Sequence, residues 1–114
     1  MIKIYHNNRC GKSRSALQIL QEKGIDFEVV EYLKNPLNQK QLKALLEKLG
    51  IKASQIIRTK EPLFKEQFLG KKLTEKDYLK ILSENPILME RPIVETDERA
   101  IIARPAELAL EVIG

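Results

Sequence analysis

A mixed four-stranded α/β sheet interrupted by a block of helices is the fold class that this 114-residue sequence predicts. Three observations carry the prediction. A strand, helix, strand pattern fills roughly the first thirty residues. A run of amphipathic helical segments, about residues 36–85, brings its own start and stop signals. A strand pair and a closing helix then complete the chain.

Met1-Ile2-Lys3-Ile4-Tyr5 reads as a short strand, and Ser13 to Lys23, with Ala16, Leu17, Ile19 and Leu20 at helical spacing, as a helix that Gly24 ends. Ile25 to Tyr32 alternates well enough for a half-buried strand. A crossover of this kind is right-handed and makes the two strands parallel, so the first loop lies at the C-terminal edge of the first strand, where α/β sheets place ligands. Asn35-Pro36 breaks the pattern, and Asn38 with Gln41 resembles a capping box for a helix bearing Leu42, Leu45, Leu46 and Leu49, closed by Gly50. A helical turn over Ala53 to Ile57, an amphipathic piece near Phe64 to Phe68, and a helix started by Thr74 with Asp77 follow, with no strand among them. Arg91 to Thr96 and Arg99 to Ala103, joined at Asp97-Glu98, make a β-hairpin. Pro92 fits a strand entrance, where no ladder donor is needed, and Pro105 fits the first position of a closing helix over Ala106 to Val112. The expected organisation is one domain, 1–114, with the helical insertion about 36–85.

Such a chain buries roughly 65% of the surface that its unfolded form exposes, so no disulfide is required. One cysteine permits no internal bridge, and with no secretory signal or long apolar run to read, the expected setting is the reducing cytoplasm. A structural zinc site wants four Cys/His-type ligands and this sequence offers one of each. The net charge of +4 favours anions in general, but basic residues are interleaved with acidic ones and only 5% of residues are aromatic. Neither a nucleic-acid surface nor a membrane segment is expected.

The only cysteine and the only histidine fall in one short stretch, Tyr5-His6-Asn7-Asn8-Arg9-Cys10-Gly11-Lys12-Ser13-Arg14-Ser15. Cys10 stands near a helix N-terminus, where unpaired amides and the helix dipole stabilise negative charge, and thiolate is the nucleophilic form of the residue. Ser13 can turn its hydroxyl toward the sulfur or cap the helix, and Arg9, Lys12 and Arg14 add positive potential. His6 can assist from four residues away. Polar, cationic neighbours argue against Cys10 as a buried apolar filler. Arg58, Arg91 and Arg104 each stand at an element boundary, and spacing alone does not bring them together. If the strands pair as expected, the loop carrying Arg91 faces Cys10, and a guanidinium fork there favours a thiolate and grips a tetrahedral oxyanion.

Ile4-Tyr5-His6-Asn7, Cys10-Gly11-Lys12-Ser13-Arg14, Ile57-Arg58-Thr59-Lys60, Asn85 to Val94 and Arg104-Pro105 together resemble the successive motifs of the glutaredoxin-linked arsenate reductase family over essentially the whole chain. The resemblance implies a thioredoxin-like fold with a helical insertion. It matches Cys10 with the nucleophile, His6 with the residue assisting its ionisation, and Ser13 with the hydroxyl near the sulfur. Arg58, Arg91 and Arg104 match the oxyanion-binding arginines and Pro92 the cis-proline. Asn8 departs from the pattern, since the family usually has proline there, which bears on the rigidity of the loop.

The implied chemistry is attack of the Cys10 thiolate on arsenate, with no bound cofactor or metal, in a monomer. Lacking a second cysteine, the chain needs an external thiol, which by resemblance is glutathione as co-substrate, with glutaredoxin reducing the mixed disulfide left on Cys10. Two other classes share the scaffold. One is an Spx-type regulatory factor that binds RNA polymerase, disfavoured by Ser13 standing where a sensor pair has its second cysteine and by the three retained arginines. The other is a thiol oxidoreductase with a different substrate.

Overall fold

The computed structural model describes residues 1–113. The chain divides into two compact units, one formed by Met1–Asn35 with the segment from Arg91 onward, the other by Pro36–Glu90.

The first unit holds the sheet, in the order β2-β1-β3-β4. Strand β1 (Ile2–Tyr5) pairs in parallel with β2 (Phe27–Val30) through the crossover helix α1 (Gly11–Glu22), and antiparallel with β3 (Ile93–Glu95), which pairs antiparallel with β4 (Ala100–Ile102). One sheet face is apolar by alternation. Ile4 and Val94 are buried there with Ala16 and Leu20 of α1 and with Ala103, Ala106 and Ala109, and Ile2, Phe27 and Ile101 pack around them. Burial of a side chain such as Leu20 contributes about 1.5–3 kcal/mol.

Several boundaries differ from the sequence reading for local reasons. Helix α1 starts two residues early, because Cys10 itself takes the N-cap conformation (φ −96°, ψ 118°). Its stop is as expected: Gly24 at φ 67° donates its amide to the Gln21 carbonyl. Strand β2 is shorter than the alternation over 25–32, because the Tyr32 amide turns back onto the Val30 carbonyl at 3.0 Å and leaves the ladder. The closing helix over Ala106 to Val112 is instead a 3₁₀ turn, Ala106–Ala109, followed by α6, Leu110–Ile113. Pro105 caps that turn in extended conformation (ψ 163°) rather than occupying a first helical position. The tighter 3₁₀ winding eclipses i and i+3, which places both Ala106 and Ala109 on the core. At the hairpin tip, Thr96 Oγ1 accepts from the Arg99 amide at 3.0 Å.

The second unit contains α2 (Gln39–Leu49), α3 (Ala53–Ile56), α4 (Pro62–Gln67) and α5 (Glu75–Glu84), with a 3₁₀ turn at Pro86–Leu88. The expected capping box at Asn38 forms, and Thr74, expected as a helix start, makes one too. The Gln41 amide donates to Asn38 Oδ1 at 2.8 Å, and the Asp77 amide to Thr74 Oγ1 at 3.1 Å. Gly50 closes α2 at φ 70°. Helices α2 and α3 and the 3₁₀ turn pack on α5, whose Ile81 and Leu82 are buried. The expectation of no strand in this stretch needs one amendment: Ile57 and Met89 form an antiparallel bridge, flanked by Arg58 N–H to Leu88 carbonyl (2.7 Å) and Glu90 N–H to Ile56 carbonyl (2.8 Å). Among the described residues no helix is long and apolar enough to cross a membrane.

Candidate active site

The first unit brings five of the singled-out residues, Cys10, His6, Arg91, Pro92 and Arg104, to one end of three adjacent strands. The β1–β3 ladder ends at Tyr5 opposite Ile93, so the next positions outward set His6 level with Pro92 and Asn7 level with Arg91. The β3–β4 ladder pairs Ile93 with Ile102, and the Ala103 amide donates to the Pro92 carbonyl at 2.9 Å, which sets Arg104 level with Arg91. Arg104 Nη1 reaches the Arg91 carbonyl at 3.4 Å. Cys10 follows His6 by one turn at the same end of β1.

That turn is built from local hydrogen bonds. The Cys10 amide donates to the Asn7 carbonyl at 3.0 Å, a β-turn across Asn8 and Arg9, and the Arg9 amide donates to Asn7 Oδ1 at 3.0 Å. Arg14 folds back from α1 and donates from Nη1 to the Asn8 carbonyl at 2.9 Å, which anchors one cation on the loop. Cys10 is 9% exposed, a difference from what its polar neighbours suggest, yet it lies outside the hydrophobic cluster around Ile4. Its side chain makes no capping hydrogen bond, so the first-turn amides of α1 are left to whatever the sulfur carries. Ser13 is fully buried, and its hydroxyl takes a third role beside the two considered above, accepting the Asn7 amide at 3.4 Å.

His6 continues the parallel ladder by donating its amide to the Val30 carbonyl at 3.0 Å, and its ring is 4% exposed with Nδ1 lacking any hydrogen-bond partner among the described residues. Arg91 shows the same property: Nε and Nη1 are buried and unpartnered. A buried donor left this way costs about 1–3 kcal/mol, more when charged. The Arg91–Pro92 and Arg104–Pro105 peptides are both cis, and Pro92 is fully buried.

Arg58 belongs to the helical unit. Its Nε faces Glu90 Oε1 at 3.2 Å, its Nη1 donates to Glu61 Oε1, and its backbone is held by the bridge described above. The guanidinium therefore has a carboxylate on two of its three nitrogens. Sequence reasoning missed Glu61, three residues on from Arg58, and Glu90, which only the bridge brings near. It also missed Asn7, although an asparagine two residues before an amide donor is an Asx-turn signal. One further pair, partly buried, lies on β1 and β3, where the Tyr5 hydroxyl donates to Glu95 Oε1 at 2.6 Å. Burial first, and the Glu95 carboxylate second, push the Tyr5 phenol well above its ordinary range.

Comparison with known proteins fits this arrangement. The ArsC family model matches residues 5–112. A protein of Escherichia coli K12 named uncharacterized protein YfgD is 45% identical over 99% of this chain and 97% of its own. The arsenate reductase of Neisseria meningitidis serogroup A is 43% identical, over 93% of this chain and 92% of its own. Among solved structures, the arsenate reductase from Vibrio cholerae superposes with a TM-score of 0.94 at 38% identity, covering 98% of this chain and 97% of that one. A four-stranded mixed sheet in this order, a cysteine-bearing turn after β1, and matches of this extent lead to one conclusion: the chain has the thioredoxin-like fold of the ArsC family and belongs to that family.

Proposed function

We propose that this protein reduces arsenate to arsenite through a covalent adduct on Cys10, using glutathione and glutaredoxin, as a cytoplasmic monomer. The observation that carries the reading is the pair of buried Arg91 nitrogens without a hydrogen-bond partner among the described residues, just ahead of the strand next to the one whose loop presents the chain's single cysteine. A buried cationic fork of this kind suits a tetrahedral oxyanion. Arg104, fixed against the Arg91 carbonyl, adds a second cation at that strand end. Arg58 is assigned as a third oxyanion ligand on the family resemblance.

In the proposed cycle the Cys10 thiolate attacks arsenic, an S–As bond forms, and an arsenate oxygen leaves as water after protonation. The amides of the first turn of α1 and the arginines stabilise the charge on the remaining oxygens. His6, buried beside the loop, assists the thiolate. The glutathione thiolate then attacks the Cys10 sulfur. The S–S bond takes the place of S–As, arsenic departs with the electron pair as arsenite, and the two sulfurs are oxidised together to a mixed disulfide. Glutaredoxin exchanges onto that disulfide and returns Cys10 as the thiolate. Since adduct formation leaves arsenic at +5 and one cysteine cannot resolve its own adduct, the second thiol that completes the reduction comes from outside the chain.

The test is NADPH consumption coupled through glutathione and glutaredoxin, with arsenate, with phosphate and without oxyanion. Arsenate-dependent turnover is expected, with none in Cys10→Ser. Turnover that persists in the serine variant, or no arsenate dependence in the wild type, transfers the chain to a thiol oxidoreductase of another substrate or to a regulatory role.

A further inference from the structure

Asn7 is 7% exposed, and it lies between the end of β1 and the turn that carries the sulfur, in neither a strand nor a helix. Burying a side-chain amide is unfavourable unless it is hydrogen-bonded, so the residue is explained by what it holds. Three of its groups are engaged, and each reaches forward along the chain. Its side-chain Oδ1 accepts the Arg9 amide at 3.0 Å, its carbonyl accepts the Cys10 amide at 3.0 Å, and its own amide donates to Ser13 Oγ at 3.4 Å. The bonds thus end on the residue before the sulfur, on the cysteine itself, and on the first turn of α1.

The other groups of the site are held differently. His6 is tied by its amide to β2, and Arg91 lies two residues before β3, joined to it through the buried Pro92, whose carbonyl accepts the Ala103 amide. Each also has a buried polar atom without a partner among the described residues, His6 Nδ1 and Arg91 Nε and Nη1. The nucleophile depends on its own hydrogen-bonded turn for its alignment with them. Asn8, the second residue of that turn, restricts the backbone less than a proline there would. The Asx turn of Asn7 supplies a constraint, helped by the Arg14 bond to the Asn8 carbonyl at 2.9 Å.

We propose that Asn7 is a positioning residue for the Cys10 sulfur, its side-chain oxygen locking the turn that sets the nucleophile against the sheet-borne groups. This rests on the reading of Cys10 as the nucleophile. Asn7→Ala deletes the Oδ1 bond and leaves the two backbone bonds, so the turn loosens while the fold stays. Asn7→Ser keeps a shorter acceptor able to make the weaker equivalent turn.

The experiment measures iodoacetamide alkylation of Cys10 across pH together with kcat and KM for arsenate, in the full chain, for wild type, Asn7→Ala and Asn7→Ser. In Asn7→Ala the alkylation rate at pH 7 is expected to fall about fivefold, the loss expected from one hydrogen bond. Its kcat is expected to fall about ten- to a hundredfold with KM within about threefold, the pattern of a displaced reacting atom. Asn7→Ser should lie between Asn7→Ala and wild type on both readouts. Alkylation of Asn7→Ala at the wild-type rate overturns the proposal, whatever happens to turnover. Should Asn7→Ala not fold, Asn7→Ser decides alone: an alkylation rate below that of wild type supports the assignment and a wild-type rate overturns it. If wild type shows no arsenate turnover, the proposed function fails, while the alkylation series still judges Asn7.

Discussion

Arg91→Ala separates activity from stability in a way the structure makes quantitative. The guanidinium Nε and Nη1 are buried and bonded to nothing among the described residues, and the hydrogen bond from Arg104 Nη1 goes to the Arg91 carbonyl, which alanine keeps. Hydrogen bonds to charged groups are worth about 1.5–3 kcal/mol each, and two of them to an oxyanion correspond to a loss of roughly 10²- to 10⁴-fold in kcat/KM. Stability should move the other way or hardly at all: removing a buried cation that the fold leaves unpaired costs less than about 1 kcal/mol and can be favourable. The assay is arsenate-dependent NADPH oxidation at several substrate concentrations, paired with urea unfolding of the same preparations. A variant within about threefold of wild type in kcat/KM refutes the argument that these nitrogens bind substrate. So does a loss of more than about 2 kcal/mol of stability, which shows that Arg91 serves the fold.

Three other expectations follow from particular bonds. Asn8→Pro should raise stability by about 0.4–1 kcal/mol and leave turnover intact, since Asn8 is exposed, sits second in its β-turn and has no positive φ; thermal melts decide, and a lowered midpoint counts against it. Tyr5→Phe should remove an alkaline limb of stability. The folded chain holds Tyr5 protonated above its ordinary range whereas the unfolded chain ionises near pH 10, so the contribution is complete below about pH 10 and falls as pH rises; urea midpoints from pH 8 to 11 should decline in wild type and stay flatter in the variant. Asn38→Ala breaks the capping box of α2 and should cost about 0.5–2 kcal/mol, read from urea midpoints at neutral pH, with arsenate turnover retained at temperatures where the variant is folded.

Much of the fold was legible because its signals are local. Asn38 and Gln41, Thr74 and Asp77, and the left-handed glycines Gly24 and Gly50 act on partners three or four residues away, so their meaning survives without a tertiary frame. The same holds for Cys10 at the head of α1. Where the reading failed, a bond made within two or three residues redirected the backbone against its hydrophobic pattern. Tyr32 turned onto Val30 and cut β2 short, and Leu108 bonded to Pro105 wound the last helix as a 3₁₀ turn.

The sequence by itself determined the chemistry on offer: one thiol, one imidazole and a set of arginines at element boundaries, on a chain whose alternation demands a sheet with one apolar face. Only the tertiary structure decided which of these meet. Arg91 and Arg104 came level because β3 pairs with β4 in one register, His6 and Pro92 because β1 pairs with β3 in another, and Arg58 found Glu90 through a single bridge. Strand register is chosen by which faces are buried over the whole sheet, and slipping it by one residue would turn Ile4 and Val94 to the opposite face. The adjacency of the site is therefore a consequence of core packing, which no short window of sequence contains.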